Sequence, residues 1–266
     1  MDLELSGRTA IVTGGSRGIG KAVARALAAE GMDVAVAARH REDLEAAAAE
    51  LAAETGRRVV AAPCDTASDE SVRAMVERAV AALGGVDVLV NCAAQPGGQS
   101  APPKLSDIDD GVFWPDVNVK VMGYLRCIRE VVPHMVARGG GRIVNVSGLA
   151  ARSTGSTVGS IRNVAVAAMT KNLADELGQH GISIVVVHPA LTRTERTPGV
   201  VRAQAERQGV AVEEIERRMS RSNVLGRIID ASDVAAVVAF LASPRAIAIN
   251  GDAVAAGGGI PGAIHY

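Results

Sequence analysis

The chain is 266 residues long, 48% hydrophobic, and carries a formal net charge of -1. That length provides for one sizeable α/β core, and the near-neutral balance excludes the strongly basic surface that nucleic acid or an anionic membrane requires. The apolar stretches are alanine-rich and interrupted by Arg or Glu, and the opening residues MDLELSGR contain neither a basic nor an apolar region. A soluble, cytoplasmic protein is therefore expected, with no nucleic-acid and no membrane partner.

Thr9 to Val12 is a short apolar run that leads into TGGSRGIG at 13 to 20, and an alanine-rich helical pattern follows at once. A strand that meets a glycine turn and then a helix is a phosphate-binding device. Gly14, Gly18 and Gly20 clear side chains from the path of a pyrophosphate, and the free N–H groups of the next helix stabilise its charge. An ordinary strand-to-helix turn shows the same glycine spacing, so the rest of the chain has to decide. Helix Lys21 to Glu30 presents Val23, Ala26 and Leu27 on one face, and Val34 to Ala38 is a continuous apolar run of the kind found in a parallel strand covered on both sides.

The pattern then repeats. Helix Arg41 to Glu54 leads to strand Arg58 to Ala62, helix Ser68 to Leu83 to strand Val86 to Val90, and a long helix around Asp116 to Ala137 to strand Arg142 to Val146. Helix Val158 to Gly178 and strand Ile182 to Val187 follow, with a last strand near Ala253 to Ala256. Such alternation implies an α/β, Rossmann-type, doubly wound parallel sheet of about seven strands with helices on both faces. No linker or composition break divides it, so residues 1–266 read as a single domain. The segment 192–229, rich in Arg and Glu and without a sheet strand of its own, overhangs the carboxyl ends of the strands and reads as a substrate lid, with a solvated helical excursion as the plainer alternative. Cys64, Cys92 and Cys127 are odd in number and lack close ligand spacing, which points to buried apolar positions and to no metal.

Several motifs stand in a telling order: TGGSRGIG at 13 to 20, Cys64-Asp65 after the third strand, Asp87 to Val90 followed by Asn91, and Asn118 within DVNVKVMGY. GRIVNVS at 141 to 147, HPALTRT at 188 to 194 and FLAS at 240 to 243 before NGDAVAAGGG complete the series. In these the chain resembles the short-chain dehydrogenases/reductases along nearly its whole length. The resemblance implies NAD(H) or NADP(H), and the end of the second strand discriminates between them. An acidic residue there accepts hydrogen bonds from the NAD ribose and repels a 2′-phosphate, whereas this chain has Ala38 followed by Arg39, with Arg17 in the glycine loop. Two guanidinium groups and no carboxylate suit a phosphate, so NADP(H) is favoured over NAD(H). By the same resemblance Asp65 addresses the adenine, Asn91 borders its ribose and Thr194 holds the nicotinamide amide, while Ser16, Ile19, Thr66, Ala93 and Pro189 complete the expected cofactor set. The family commonly forms dimers or tetramers, which makes a homotetramer or homodimer the expectation. The apolar faces at Val119, Met122, Leu125 and Ile128 and at Val166, Met169 and Leu173 suit either a subunit contact or packing on the sheet.

The family's chemistry rests on an Asn, a Ser, a Tyr and a Lys, the last two spaced YxxxK on the helix after the fifth strand. The tyrosine hydroxyl is the acid or base toward the substrate oxygen, with its pKa lowered by the lysine. Asn118 matches the asparagine. The tyrosine does not appear: Tyr124 and Tyr266 lie elsewhere, and aligning the helix on Thr170-Lys171-Asn172 puts Gly159 at the tyrosine position and Asn163 at the lysine position. Lys171 falls about two turns further along, roughly 12 Å from position 163. Gly148 takes the serine position, with Ser147 one residue early and so pointing the other way at a strand end. Asn118 and Ser147 are the catalytic candidates left, with Ser153, Ser156, Ser160, Arg152 and Arg162 as substitutes that could polarise a carbonyl.

Three functions stay open at this point: an atypical oxidoreductase on a carbonyl or alcohol, a nucleotide-binding non-redox enzyme such as an eliminase, isomerase or dehydratase, and a non-catalytic regulatory or partner subunit. Aromatic residues are scarce, so the pocket around Gln95 to Pro103, Leu149 to Val158 and Thr192 to Arg221 is expected to be aliphatic and to take a fairly apolar small molecule.

Overall fold

The computed structural model describes residues 1–95 and 102–262. Strand β1 (Thr9–Thr13) is buried on both faces, as a central strand of a parallel sheet must be, and this is why its run is apolar throughout its middle. Helix α1 (Gly18–Ala29) carries the chain back to β2 (Asp33–Ala37), which lies parallel to β1 with Ala37 opposite Thr13. Helix α2 (Arg41–Thr55), β3 (Val59–Ala61), α3 (Asp69–Leu83) and β4 (Val88–Asn91) continue the alternation, and β4 returns to the other side of β1 with Asn91 opposite Thr13.

Helix α4 (Asp110–Val117), a π turn (Asn118–Met122), α5 (Gly123–Ala137), β5 (Gly141–Val146), α6 (Thr157–Leu177) and β6 (Ile182–Pro189) follow. The remainder is β7 (Thr192–Arg193), α7 (Thr197–Gln208), α8 (Val212–Ser220), β8 (Ile229–Asp230), α9 (Ala231–Ala242) and β9 (Ala253–Ala256). The main sheet has seven parallel strands in the order β3-β2-β1-β4-β5-β6-β9. Strand order reverses between β1 and β4, so a crevice opens beyond their carboxyl ends.

Successive strand residues serve opposite faces. Val12, Val34, Val36, Val88 and Val144 pack with Leu27 of α1, Leu44 of α2 and Val238 of α9. Ile11, Ala35, Leu89 and Ile143 pack with Met75 of α3, Val131 of α5 and Leu177 of α6. Ile128 and Val166 are buried in this packing, with Met169 and Leu173 against it, so these four residues serve the chain's own core, whereas Met122 of the same predicted face is exposed. The result is one Rossmann-type domain with helices on both faces.

Two features depart from the sequence reading. The helix expected over 116 to 137 begins earlier, at the Asp109 cap whose carboxylate accepts from Val112 N at 2.9 Å, and it is not one helix. Pro115 removes a backbone donor inside α4, and the ladder widens to a π turn before α5 resumes, which changes the helical phase of every residue from Asn118 on. The segment after β6 stays out of the main sheet, as expected, but its two ends pair with each other, Thr192 opposite Ile229, and so anchor both feet of the α7–α8 excursion.

Candidate functional site

The crevice is a cleft of about 970 Å³ lined by Gly14, Ser16, Arg17, Gly18, Ile19 and Gly20 at one end. A Cβ on Gly20 would sit 2.2 Å from Gly14 O, and one on Gly14 would sit 3.0 Å from Ala93 N and Cys92 C, so the turn is packed too closely for any other residue. Thr13 Oγ1 braces it by accepting from Cys92 N at 3.1 Å and Ala93 N at 3.2 Å. At the start of α1, Gly18 N donates to both oxygens of Glu195, at 3.0 and 3.2 Å. A side-chain carboxylate from beyond β6 thus stands where a helix N-terminus takes an anion, and a phosphate of a dinucleotide fits the same donors.

Arg39, exposed, lines the cleft at the end of β2 together with Thr66, and Arg17, also exposed, lines it from the glycine loop. Ala93, Pro189 and Thr194 line it further along. Asp65 and Asn91 each bond within the chain. Asp65, exposed, accepts through Oδ1 from Ala67 N at 3.0 Å in a local turn. Asn91 is fully buried, and its Nδ2 donates to Asn145 Oδ1 at 2.9 Å, while Asn145 Nδ2 donates to Thr170 Oγ1 at 3.0 Å. That chain of bonds ties β4 to β5 and α6 and satisfies Asn91 Nδ2, while Asn91 Oδ1 is buried without a partner among the described residues.

The floor lies at the ends of β5 and β6. Ser147 lines it and donates through Oγ to Asn163 O at 3.2 Å. Gly148 N donates to His188 Nδ1 at 3.4 Å, and Asn163 Nδ2 fills the space where a Gly148 side chain would begin, 3.0 Å from that Cβ. Gly159 sits in the first turn of α6, where its N–H donates to the capping Ser156 Oγ at 3.1 Å. A Cβ on it would meet that same Oγ at 2.8 Å, with Arg162 Nη2 4.0 Å away. Arg162 lines the cleft and is held by Asp116, its Nη1 donating to both carboxylate oxygens at 2.5 and 2.6 Å. Arg162 Nε and Asn163 Oδ1 are buried without a partner among the described residues, the mark of a polar site arranged for something besides packing.

Asn118 is not part of this floor. Its Oδ1 accepts from Arg126 Nη1 at 2.9 Å, beside Thr66 O, because the π turn rotates it outward and brings Lys120 inward. Lys120 is buried, and its Nζ donates to Ser147 O at 2.9 Å. Burial, with a smaller push from Arg162, lowers its ammonium to about 7 against the pull of Asp116. Burial, then the charges of Arg152 and Lys120, holds His188 neutral down to about 4, so its Nδ1 stays an acceptor for Gly148 N. Lys120 also acts on the Cys92 thiol, yet burial outweighs it and pushes the thiol up to about 12. Tyr124 is wholly buried and donates to Val146 O at 2.8 Å, away from the cleft. Lys171 pairs with Asp175 at the surface.

Sequence reasoning missed Lys120, Asp116 and Glu195. The one signal for Lys120 was a lone cation in the apolar stretch VNVKVMGYL, and its meaning depends on a helical phase that Pro115 obscures. Toward the outer end the cleft is aliphatic, with Leu149, Leu191, Val200, Met219 and Ile260 on its wall. The wall expected over 95 to 103 falls largely on residues 96–101, outside the described residues.

A family model described as short chain dehydrogenase matches residues 8–206. The short-chain reductase protein NovJ of Streptomyces niveus is 37% identical over 253 residues, covering 95% of this chain and 93% of its own. Among solved structures, L-sorbose reductase from Gluconobacter frateurii complexed with NADPH and L-sorbose superposes with a TM-score of 0.93 at 28% identity, covering 99% of this chain and 100% of its own. A 7α-hydroxysteroid dehydrogenase complexed with NADH and 7-oxo glycochenodeoxycholic acid superposes with a TM-score of 0.85 at 26% identity, over 99% of this chain and 98% of its own. On a match that runs through the glycine turn, the end of β5 and α6 alike, the chain belongs to the short chain dehydrogenase family.

Proposed function

We propose that the chain is an NADP(H)-dependent oxidoreductase that interconverts the carbonyl and alcohol of a fairly apolar small molecule, without the Ser-Tyr-Lys set of its family. One cleft carries the reading: it runs from the glycine cradle, flanked by Arg17 and Arg39, to the floor where Arg162 and Ser147 meet an aliphatic wall. The backbone of Gly14 to Gly20 binds the diphosphate, Arg17 and Arg39 face the 2′-phosphate, and Thr66, Ala93, Pro189 and Thr194 position the rest. When bound, the nicotinamide supplies or accepts hydride. Arg162, fixed by Asp116, orients the substrate oxygen and stabilises negative charge developing on it. The α7–α8 excursion over 192–229 covers this end as a lid and keeps water from the reacting carbon.

Glycine or asparagine at positions 148, 159 and 163 favours one second reading, a nucleotide-binding protein without net redox turnover. Titrating the full chain with NADPH and NADH, then offering a panel of ketones and alcohols, separates the two. Preferential NADPH binding with loss of reduced-nicotinamide absorbance on a ketone supports the oxidoreductase. Tight binding with no turnover on any of the panel removes it. The NADH-bound relative makes the nucleotide comparison the necessary first step. The free thiols of Cys64, Cys92 and Cys127 suit a reducing cytoplasm, and no described helix is long and apolar enough to cross a membrane.

A further inference from the structure

Arg162 can stabilise charge on a substrate oxygen but keeps its own proton, and no tyrosine lines the cleft among the described residues. The reaction proposed above therefore needs a proton from elsewhere. The chain has four lysines, Lys21, Lys104, Lys120 and Lys171. Lys21 and Lys171 hold ion pairs with Glu50 and Asp175, and Lys104 is exposed. Lys120 alone is buried, at 3% exposure, and its Nζ is 2.9 Å from the carbonyl of cleft-lining Ser147. Val119 and Cys92, beside it, also line the cleft. The ammonium therefore stands one carbonyl behind the floor.

The groups that bear on it come from every neighbouring element. They are Asp116 on α4, Arg162 on α6, the Cys92 thiol after β4 and the His188 ring on β6. Asp116 is the only carboxylate among them, and it is bonded to Arg162. Among the described residues Lys120 is thus a buried cation with one carbonyl acceptor and no anion of its own, an arrangement that costs stability and loosens the proton. Asn163 occupies the α6 position where the family resemblance places a lysine, and a cation stands behind the same floor from the π turn instead.

We propose that Lys120 is the proton reservoir of this site, supplying the proton that a substrate oxygen takes up as its carbonyl becomes an alcohol and accepting one in the reverse direction. The proposal rests on the oxidoreductase reading. As the carbonyl carbon gains hydride from the bound cofactor, the C=O π pair moves to oxygen and forms the O–H bond with the proton of the cleft-lining Ser147 hydroxyl, which takes the proton that leaves Lys120 Nζ in its place. The lysine ends as the neutral amine and is recharged from solvent. Lys120 works from behind Ser147, so it is a supply and positioning residue, and its substitution acts on proton transfer while leaving nucleotide binding alone.

The experiment combines two titrations on the full chain. Protein labelled with 13C at lysine Cε is followed by NMR from about pH 5 to 11, and kcat for a reduced ketone is measured over the range where the enzyme is folded. The expected result is one lysine resonance, missing in Lys120→Met, that titrates near pH 7, with a bend in kcat at the same pH. Lys120→Met and Lys120→Arg both lower kcat by about 10²-fold or more with unchanged NADPH affinity, because arginine keeps the cation but not the exchangeable proton. Wild-type turnover in Lys120→Arg, or titration of Lys120 above about pH 9, overturns the proposal. If the wild type binds NADPH, titrates near pH 7 and reduces no ketone, the oxidoreductase reading has failed and the supply function falls with it, which the NMR arm distinguishes from a wrongly assigned lysine.

Discussion

Arg39 and Arg17 place two guanidinium groups on one wall of the cleft, and neither forms an ion pair among the described residues. A charge-assisted hydrogen bond to a phosphate is worth about 1.5–3 kcal/mol. Arg39→Ala is therefore expected to weaken NADPH binding by about 10- to 100-fold and to leave NADH binding nearly unchanged, as read by fluorescence titration. Lys120 makes a stability prediction separate from catalysis. Its folded pKa of about 7 lies below the ordinary value of 10.5, so between those pH values the unfolded chain holds a proton that the folded chain does not. Stability then rises with pH across that window and is lowest below it. Lys120→Met removes that rise and, at neutral pH, is expected to be neutral or more stable by about 1–4 kcal/mol in chemical denaturation, since a buried cation without its own anion gives way to an apolar side chain. His188 acts in the acid range with the same sign: neutral when folded down to about 4, protonated when unfolded below 6.5, it makes the protein lose stability as pH falls through that interval.

Among the elements, the segment between β7 and β8 both overhangs the cleft and reaches into it. Glu195 holds Gly18 N through both carboxylate oxygens, so a nucleotide phosphate has to displace it to reach the start of α1. An anion at a helix N-terminus is worth about 0.3–1 kcal/mol. Glu195→Ala is thus expected to tighten NADPH binding by about 2- to 5-fold, and calorimetry showing weaker binding instead makes Glu195 part of the nucleotide site. The α4–α5 region shows where legibility in the sequence ended. Strand and helix order came through because burial on both faces of a parallel sheet imposes long apolar runs, and β9 stands at Ala253–Ala256 as expected. The helix around Asn118 did not, because periodicity assumes one constant turn. Pro115 and the π turn break that constancy, which is how Asn118 comes to face Arg126 and Lys120 to face Ser147.

For the whole molecule, Trp114, Met122, Ile161 and Val164 are 58%, 42%, 48% and 50% exposed and come from α4, the π turn and α6, which lie side by side. An apolar surface of this kind is expected to be covered by a second copy of the chain, giving a homodimer or homotetramer. Sedimentation should show the assembly in the wild type and its loss in Trp114→Glu/Val164→Glu, and a monomeric wild type removes the expectation. By itself the sequence determined the architecture, since alternation of buried strands and half-buried helices is a local pattern that leaves one economical fold, and it determined the glycine cradle, whose spacing is contiguous in the chain. Only the tertiary structure decided the floor of the cleft. Lys120, Asp116, Arg162, Asn163 and Ser147 come from the π turn, α4, α6 and the end of β5, and their meeting depends on helical phase and on which groups burial leaves without partners. Glu195 on Gly18 spans 177 residues of chain for the same reason: the contact is a property of the assembled sheet and its overhanging segment, and no local pattern encodes it.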